Sequence, residues 1–103
     1  MANEIIRGTT PTITYNFKNI DVSDITVAYL TIKQANEILV EKTLADATVD
    51  EDSLSWELTQ EDTLGLQVGN AYPMVNWKLS NGMRGASQRA SIGILDNHKN
   101  EVI

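Results

Sequence analysis

The chain predicts an all-β fold: an antiparallel two-sheet sandwich of about seven strands, immunoglobulin-like or jelly-roll-like, with one short helix near residues 60–66. Three observations carry this expectation. Apolar and polar residues alternate with period two, as in Ile13, Tyr15 and Phe17 or in Leu54, Trp56 and Leu58. Turn residues recur at intervals of roughly 8–14 residues, the spacing of short strands in a sandwich. Asn81-Gly82 separates two strand-like runs, 71–79 and 84–94. That dipeptide readily adopts the two positive φ angles of a type I′ hairpin turn.

Residues 1–11 read as an N-terminal arm, in which Ile5-Ile6 precede Arg7-Gly8-Thr9-Thr10-Pro11. Its two isoleucines require burial, either as an edge strand of their own sheet or by strand addition to a neighbour. Residues 12–18 follow as a half-buried strand, with Ile13, Tyr15 and Phe17 on one face and Thr12, Thr14 and Asn16 on the other. Pro11 suits the start of a strand. Residues 25–34 place Ala28, Leu30 and Ile32 on one face and Val27, Tyr29 and Thr31 on the other. Both faces are fairly apolar, which predicts a central strand covered on each side.

Asn36 tolerates positive φ and marks the next turn. Residues 38–44 then set Ile38, Val40 and Leu44 against Leu39, Glu41 and Thr43, and a short strand at Val49 leads into the acidic turn Asp50-Glu51-Asp52. After the strand at 54–58, Thr59 is a helix N-cap, with Glu61 and Asp62 near the positive end of the dipole. Gly69 is the expected stop. Trp56 and Trp77 are the largest core anchors, each able to bury roughly 200 Å².

At 103 residues the chain forms one domain over 1–103, ending in a polar tail at 96–103 that carries Val102-Ile103. It has no cysteine, so packing alone stabilises it, and this composition fits a reducing cytosol without excluding the cell exterior. The N-terminus has no basic region followed by an apolar run, and no stretch approaches the roughly 18 apolar residues of a membrane helix. The formal charge of −6, from 14 acidic and 8 basic residues, argues against nucleic-acid and membrane partners.

Catalytic chemistry has little support. His98 is the only histidine, there is no Gly-x-Ser-x-Gly elbow, and no Gly-rich loop between a strand and a helix signals a nucleotide. No catalytic residue, metal site or cofactor is expected. Asp50, Glu51 and Asp52, with Asp46 or Asp24, could offer oxygens to calcium but lack the spacing of a dedicated loop, so a solvated turn is expected. Glu57 points outward from its strand, which separates it from the capping pair Glu61 and Asp62. Residues 84–89 form the one basic, small-residue segment. They read either as a binding edge through Arg84 and Arg89, or as a bulge permitted by Gly85 with arginines guarding an edge.

Four segments in order carry a resemblance: Ile6-Arg7-Gly8-Thr9-Thr10-Pro11-Thr12, Leu30-Thr31-Ile32-Lys33-Gln34, Glu41-Lys42-Thr43-Leu44 and Leu58-Thr59-Gln60-Glu61-Asp62-Thr63-Leu64. Together, between Ile5 and about Ile94, they resemble small phage and prophage proteins of Gram-positive bacteria encoded among tail and head-tail genes. The architecture is also similar to the N-terminal β-sandwich of siphophage upper baseplate proteins. Many members end the last strand in a Gly-Asp turn, where this chain has Leu95-Asp96-Asn97. The resemblance maps no active-site residue. It implies a non-enzymatic virion subunit or adaptor of the tail or baseplate region, made in the host cytoplasm. Its partners would be other virion proteins and further copies of itself.

The expected partner contacts are Ile5, Ile6 and Arg7 at one end, Val102 and Ile103 at the other, and Arg84 and Arg89 on the basic segment. The alternative is a ligand-binding sandwich, for example one that recognises carbohydrate through Tyr15, Tyr29 and Tyr72.

Overall fold

A computed structural model describes residues 4–103 of the chain; the first three residues of the N-terminal arm lie outside the described residues. Nine strands form two sheets, joined by one short helix. The strands are β1 (Glu4–Ile6), β2 (Thr12–Asn16), β3 (Ile25–Gln34), β4 (Glu37–Thr43), β5 (Thr48–Val49), β6 (Ser53–Glu57), β7 (Gly69–Leu79), β8 (Arg84–Ala86) and β9 (Ile92–Leu95). The helix α1 spans Gln60–Leu64. The larger sheet has the order β1-β9-β7-β3-β4, with β8 also on β7, and it faces a smaller sheet ordered β2-β6-β5. Of the two arrangements the sequence allows, this is the immunoglobulin-like order, with β2, β6 and β5 set against the sheet that holds β3, β7 and β9.

Alternation builds the core. Leu54, Trp56 and Leu58 from the smaller sheet are fully buried against Ala28, Leu30 and Ile32 of β3 and Ala71, Val75 and Trp77 of β7. Trp56 satisfies its indole N–H by donating to the Thr43 carbonyl at 2.9 Å. Tyr15 and Phe17 pack on Trp77, with ring centroids 5.6 and 4.9 Å away. Both indoles are therefore internal, as the period-two pattern predicts.

Several expectations need correction. The Asn81-Gly82 turn is not type I′, because only Gly82 has positive φ there (90°). The loop holds three residues, closed by Leu79 N donating to Met83 O at 2.8 Å and Gly82 N to Leu79 O at 2.9 Å. This is the hairpin geometry in which a left-handed glycine follows the turn. The paired positive φ angles sit instead at Ala35 (51°) and Asn36 (63°), in the two-residue turn between β3 and β4.

The run 84–94 is not one strand. Its two pieces, β8 and β9, pair with opposite halves of β7, and residues 87–91 bulge between them. Pro73 explains the break. Its carbonyl accepts from Ala90 N at 3.2 Å, so its ring nitrogen, which has no hydrogen, faces the same interrupted edge. Ser87 partly repairs the gap: its hydroxyl accepts from Val75 N, and its own N–H donates to Val75 O, both at 2.8 Å.

Strand β3 is central but covered on one face only, since Val27 and Tyr29 lie open to solvent. A register shift between Ile32 and Lys33 leaves Leu39 unpaired in β4, which turns Ile38 outward and away from the face of Val40. Leu44 leaves the strand and begins a single 3₁₀ turn, Leu44–Asp46. The sandwich is also not wholly antiparallel. Part of the N-terminal arm forms β1, which joins β9 in parallel and buries Ile5 opposite Ile94.

Helix α1 starts as expected at Thr59. Its hydroxyl accepts from Asp62 N at 3.1 Å, and the Asp62 carboxylate accepts from Thr59 N at 2.9 Å, a reciprocal cap. The helix stops at Gly65, four residues before the expected Gly69, which instead opens β7 at φ 130°. Asp62 also pairs with Lys42 at 2.8 Å, fixing the helix to β4. Partial burial pushes this carboxyl up, but the hydrogen bonds from Lys42 and Thr59 outweigh it and hold the group below the ordinary 3.8.

Two predictions follow from this packing. A Cβ on Gly85 would lie 2.6 Å from the Trp77 ring, so Gly85→Ala should destabilise the fold by about 1–3 kcal/mol in urea unfolding, with altered tryptophan emission. Asp62→Asn should cost about 1 kcal/mol at neutral pH. A depressed carboxyl stabilises the native state above its unfolded value and loses that contribution as pH falls through its folded value. The difference between wild type and Asp62→Asn should therefore begin to shrink in acid titrations of stability near the ordinary 3.8 and vanish below the lower folded value.

Candidate functional site

The outward face of the larger sheet is built by the same alternation that fills the core. With Ala28, Leu30 and Ile32 turned in, β3 must turn Val27, Tyr29, Thr31 and Lys33 out. Register then fixes their neighbours. Tyr29 lies beside Asn76, Thr31 beside Met74, Lys33 beside Tyr72, and Val27 beside Lys78. On the far side of β7, Asn76 meets Ala86 and Lys78 meets Arg84. Arg89, from the irregular segment, lays its guanidinium 4.5 Å from the centroid of the Tyr72 ring. Such a contact is worth about 0.5–1 kcal/mol at an exposed site.

This face concentrates positive charge on an acidic chain. Four of the eight basic residues, Lys33, Lys78, Arg84 and Arg89, stand on it with one β4 carboxylate, Glu41 beside Thr31, although the net charge is −6. The ion pairs among the described residues involve Arg7, Lys42 and Lys99 and none of these four. Lys78 and Arg84 are direct cross-strand partners, an arrangement of like charges that costs stability. Arg84 is steadied only by a 3.3 Å hydrogen bond to the Asn76 side-chain oxygen. Two shallow hollows indent the face. One, of about 270 Å³, is walled by Lys33, Tyr72, Met74 and Arg89, and the other, of about 160 Å³, by Val27, Tyr29, Lys78 and Arg84.

Across the sandwich, the outward face of the smaller sheet has a different chemistry. Thr12 and Thr14 of β2 stand beside Glu57 and Ser55 of β6, Thr48 of β5 stands beside Ser55, and Asn16 pairs with Ser53, which is buried. Thr14 and Ser55 share a hydroxyl hydrogen bond at 2.9 Å. Exposed acids flank this hydroxyl surface, with Glu57 at one end and the turn Asp50-Glu51-Asp52 at the other. Among the described residues, no group of three or more His, Asp or Glu side chains is placed to hold a metal ion.

The expected contact residues separate into three fates. Arg84 and Arg89 share the basic face but stand apart, Arg84 beside Lys78 and Arg89 over Tyr72. Ile5 is withdrawn, only 5% exposed within its own sheet, whereas its neighbour Ile6 remains 44% exposed. Arg7 is committed internally: Nε donates to Leu66 O and an η nitrogen to Leu64 O, both at 2.8 Å, and the other η nitrogen approaches Asp96 at 3.4 Å. Its guanidinium thus caps carbonyls at the end of α1. The Asp96 carboxyl is held below its ordinary value, first by the Asn97 backbone N–H and also by Asn100 and Arg7.

Val102 and Ile103 remain exposed, but the Ile103 main chain is bracketed by the Gln60 amide, which accepts from its N–H at 2.9 Å and donates to its carbonyl at 3.3 Å. No protein-family model matches the chain, and no curated protein matches it.

Of the tyrosines, Tyr15 belongs to the core cluster with Phe17 and Trp77, whereas Tyr29 and Tyr72 share the basic face. Lys33 and Lys78 are the residues sequence reasoning overlooked. Their signal was present in the second register of β3 and β7, once those strands are read as open on one side.

If the like-charge pair is a cost, Arg84→Glu should relieve it by placing a carboxylate opposite Lys78. Urea unfolding should then show a gain of about 0.5 kcal/mol, with no gain contradicting the electrostatic account.

Proposed function

We propose that this chain is a non-enzymatic structural subunit of a phage virion, in the tail, baseplate or head-tail region, and that it works through protein–protein contacts. The observation that carries the contact function is the unpaired cationic and aromatic face of the larger sheet. Half of the basic residues of an acidic chain are gathered there, at a cost in like-charge repulsion that folding alone does not call for. Concentrated charge of one sign steers and registers a complementary partner. The four-segment resemblance to phage proteins supplies the setting.

The termini have a smaller part than expected from their residues alone. With Ile5 buried and Arg7 spent on internal carbonyls, Ile6, Val102 and Ile103 are the terminal side chains left for contact. The carbohydrate reading draws on Tyr29 and Tyr72 sharing one face, but the Arg89 guanidinium already occupies the Tyr72 ring. The protein-contact reading uses both features.

Phage particles induced from the host strain that encodes the chain, purified and probed by immunoblot, test the assignment. The protein should co-purify with intact tails at a fixed ratio to the other tail proteins. Absence from purified particles would refute it.

A further inference from the structure

The geometry points to head-to-tail docking between copies of this chain: the basic, aromatic face of the larger sheet seats the acidic, hydroxyl-rich face of the smaller sheet of the next copy. This inference rests on the virion-subunit reading and names the occupant of its contact surface. The argument is charge complementarity between two faces that no single copy can bring together, because they are the opposite outer surfaces of one sandwich. Lys33, Lys78, Arg84 and Arg89 stand on one. Glu57 and the turn Asp50-Glu51-Asp52 border the other. On a neighbour, Glu57 or the acidic turn would supply the counter-charge that the Lys78–Arg84 pair lacks in its own sheet.

The shapes are compatible. Both surfaces are sheet faces. Tyr29 and Met74, lying between the cations, supply the apolar centre that a charged rim needs. Opposite faces make the contact heterologous, so each copy keeps one free donor face and one free acceptor face. Such a contact closes into a ring where the rotation allows and otherwise runs on as a filament.

Light scattering on the intact chain, at rising concentration, tests this directly. The wild type should exceed its monomer mass of 11.4 kDa. Reversing the basic face (Lys33→Glu, Lys78→Glu and Arg84→Glu) should leave a monomer, and so should reversing the acidic face (Asp50→Lys, Glu51→Lys and Glu57→Lys). Mixed together, the two variants should recover assembly, because each then presents the charge the other lacks.

All six side chains are exposed, so unchanged near-ultraviolet dichroism should accompany the loss. Should either variant unfold, Lys78→Gln and Glu57→Gln decide in its place, each expected to weaken association about threefold or more. A monomeric wild type, a face-reversed variant that assembles like wild type, or a mixture that stays monomeric would overturn the docking. None of those results bears on the immunoblot, so the virion assignment stands or falls separately.

Discussion

The fold depends on burying the Trp77 indole between two sheets. Tyr15 and Phe17 approach it from the smaller sheet, while Gly85 of β8 lies so close to its ring that even a methyl group would overlap it. A ring of this size is worth several kcal/mol of buried surface, on the order of a protein's whole net stability. The glycine at 85 is therefore explained by steric exclusion at the ring, and the bulge expected there falls instead at residues 87–91, where Pro73 denies the ladder a donor.

A second set of contacts closes the end of the sandwich where the arm, α1 and the start of the tail meet. Thr63 is fully buried; its hydroxyl accepts from Gly8 N at 2.9 Å and donates to Thr9 O at 2.8 Å. Arg7 adds its bonds to Leu64 and Leu66, and the Asn97 side chain donates to Arg7 O at 2.8 Å. At the end of β3, the Gln34 side chain pairs with the backbone of Gln67 through two 2.8 Å bonds. Buried polar groups are tolerated because each finds a partner. These bonds consume the very groups on the N-terminal arm that otherwise make it a plausible intermolecular hook.

With that arm secured, the two outer faces of the sandwich are its largest open surfaces. Alternation forces every strand to present a second face, and the two outer faces have opposite character. One holds cations and aromatic rings, and the other hydroxyls bordered by carboxylates. In the docking proposed above, a net charge of −6 opposes approach of copies at long range, and attraction between the unlike faces acts at short range.

Elements whose information is local were legible in the residue pattern. Period-two alternation fixed the strands and the inward placement of both indoles, and Thr59 with Asp62 fixed where α1 begins. Tertiary structure decided what depends on distant neighbours. The positive φ angles fell at Ala35 and Asn36 because that loop has two residues to reverse the chain, whereas the Asn81-Gly82 loop has three. Ile5 was buried because β9 offered an edge, and Ile38 turned out because Leu39 went unpaired. Arg84, Arg89, Lys33 and Lys78 are scattered along the chain, and only tertiary structure, chiefly long-range strand pairing, puts them on one face.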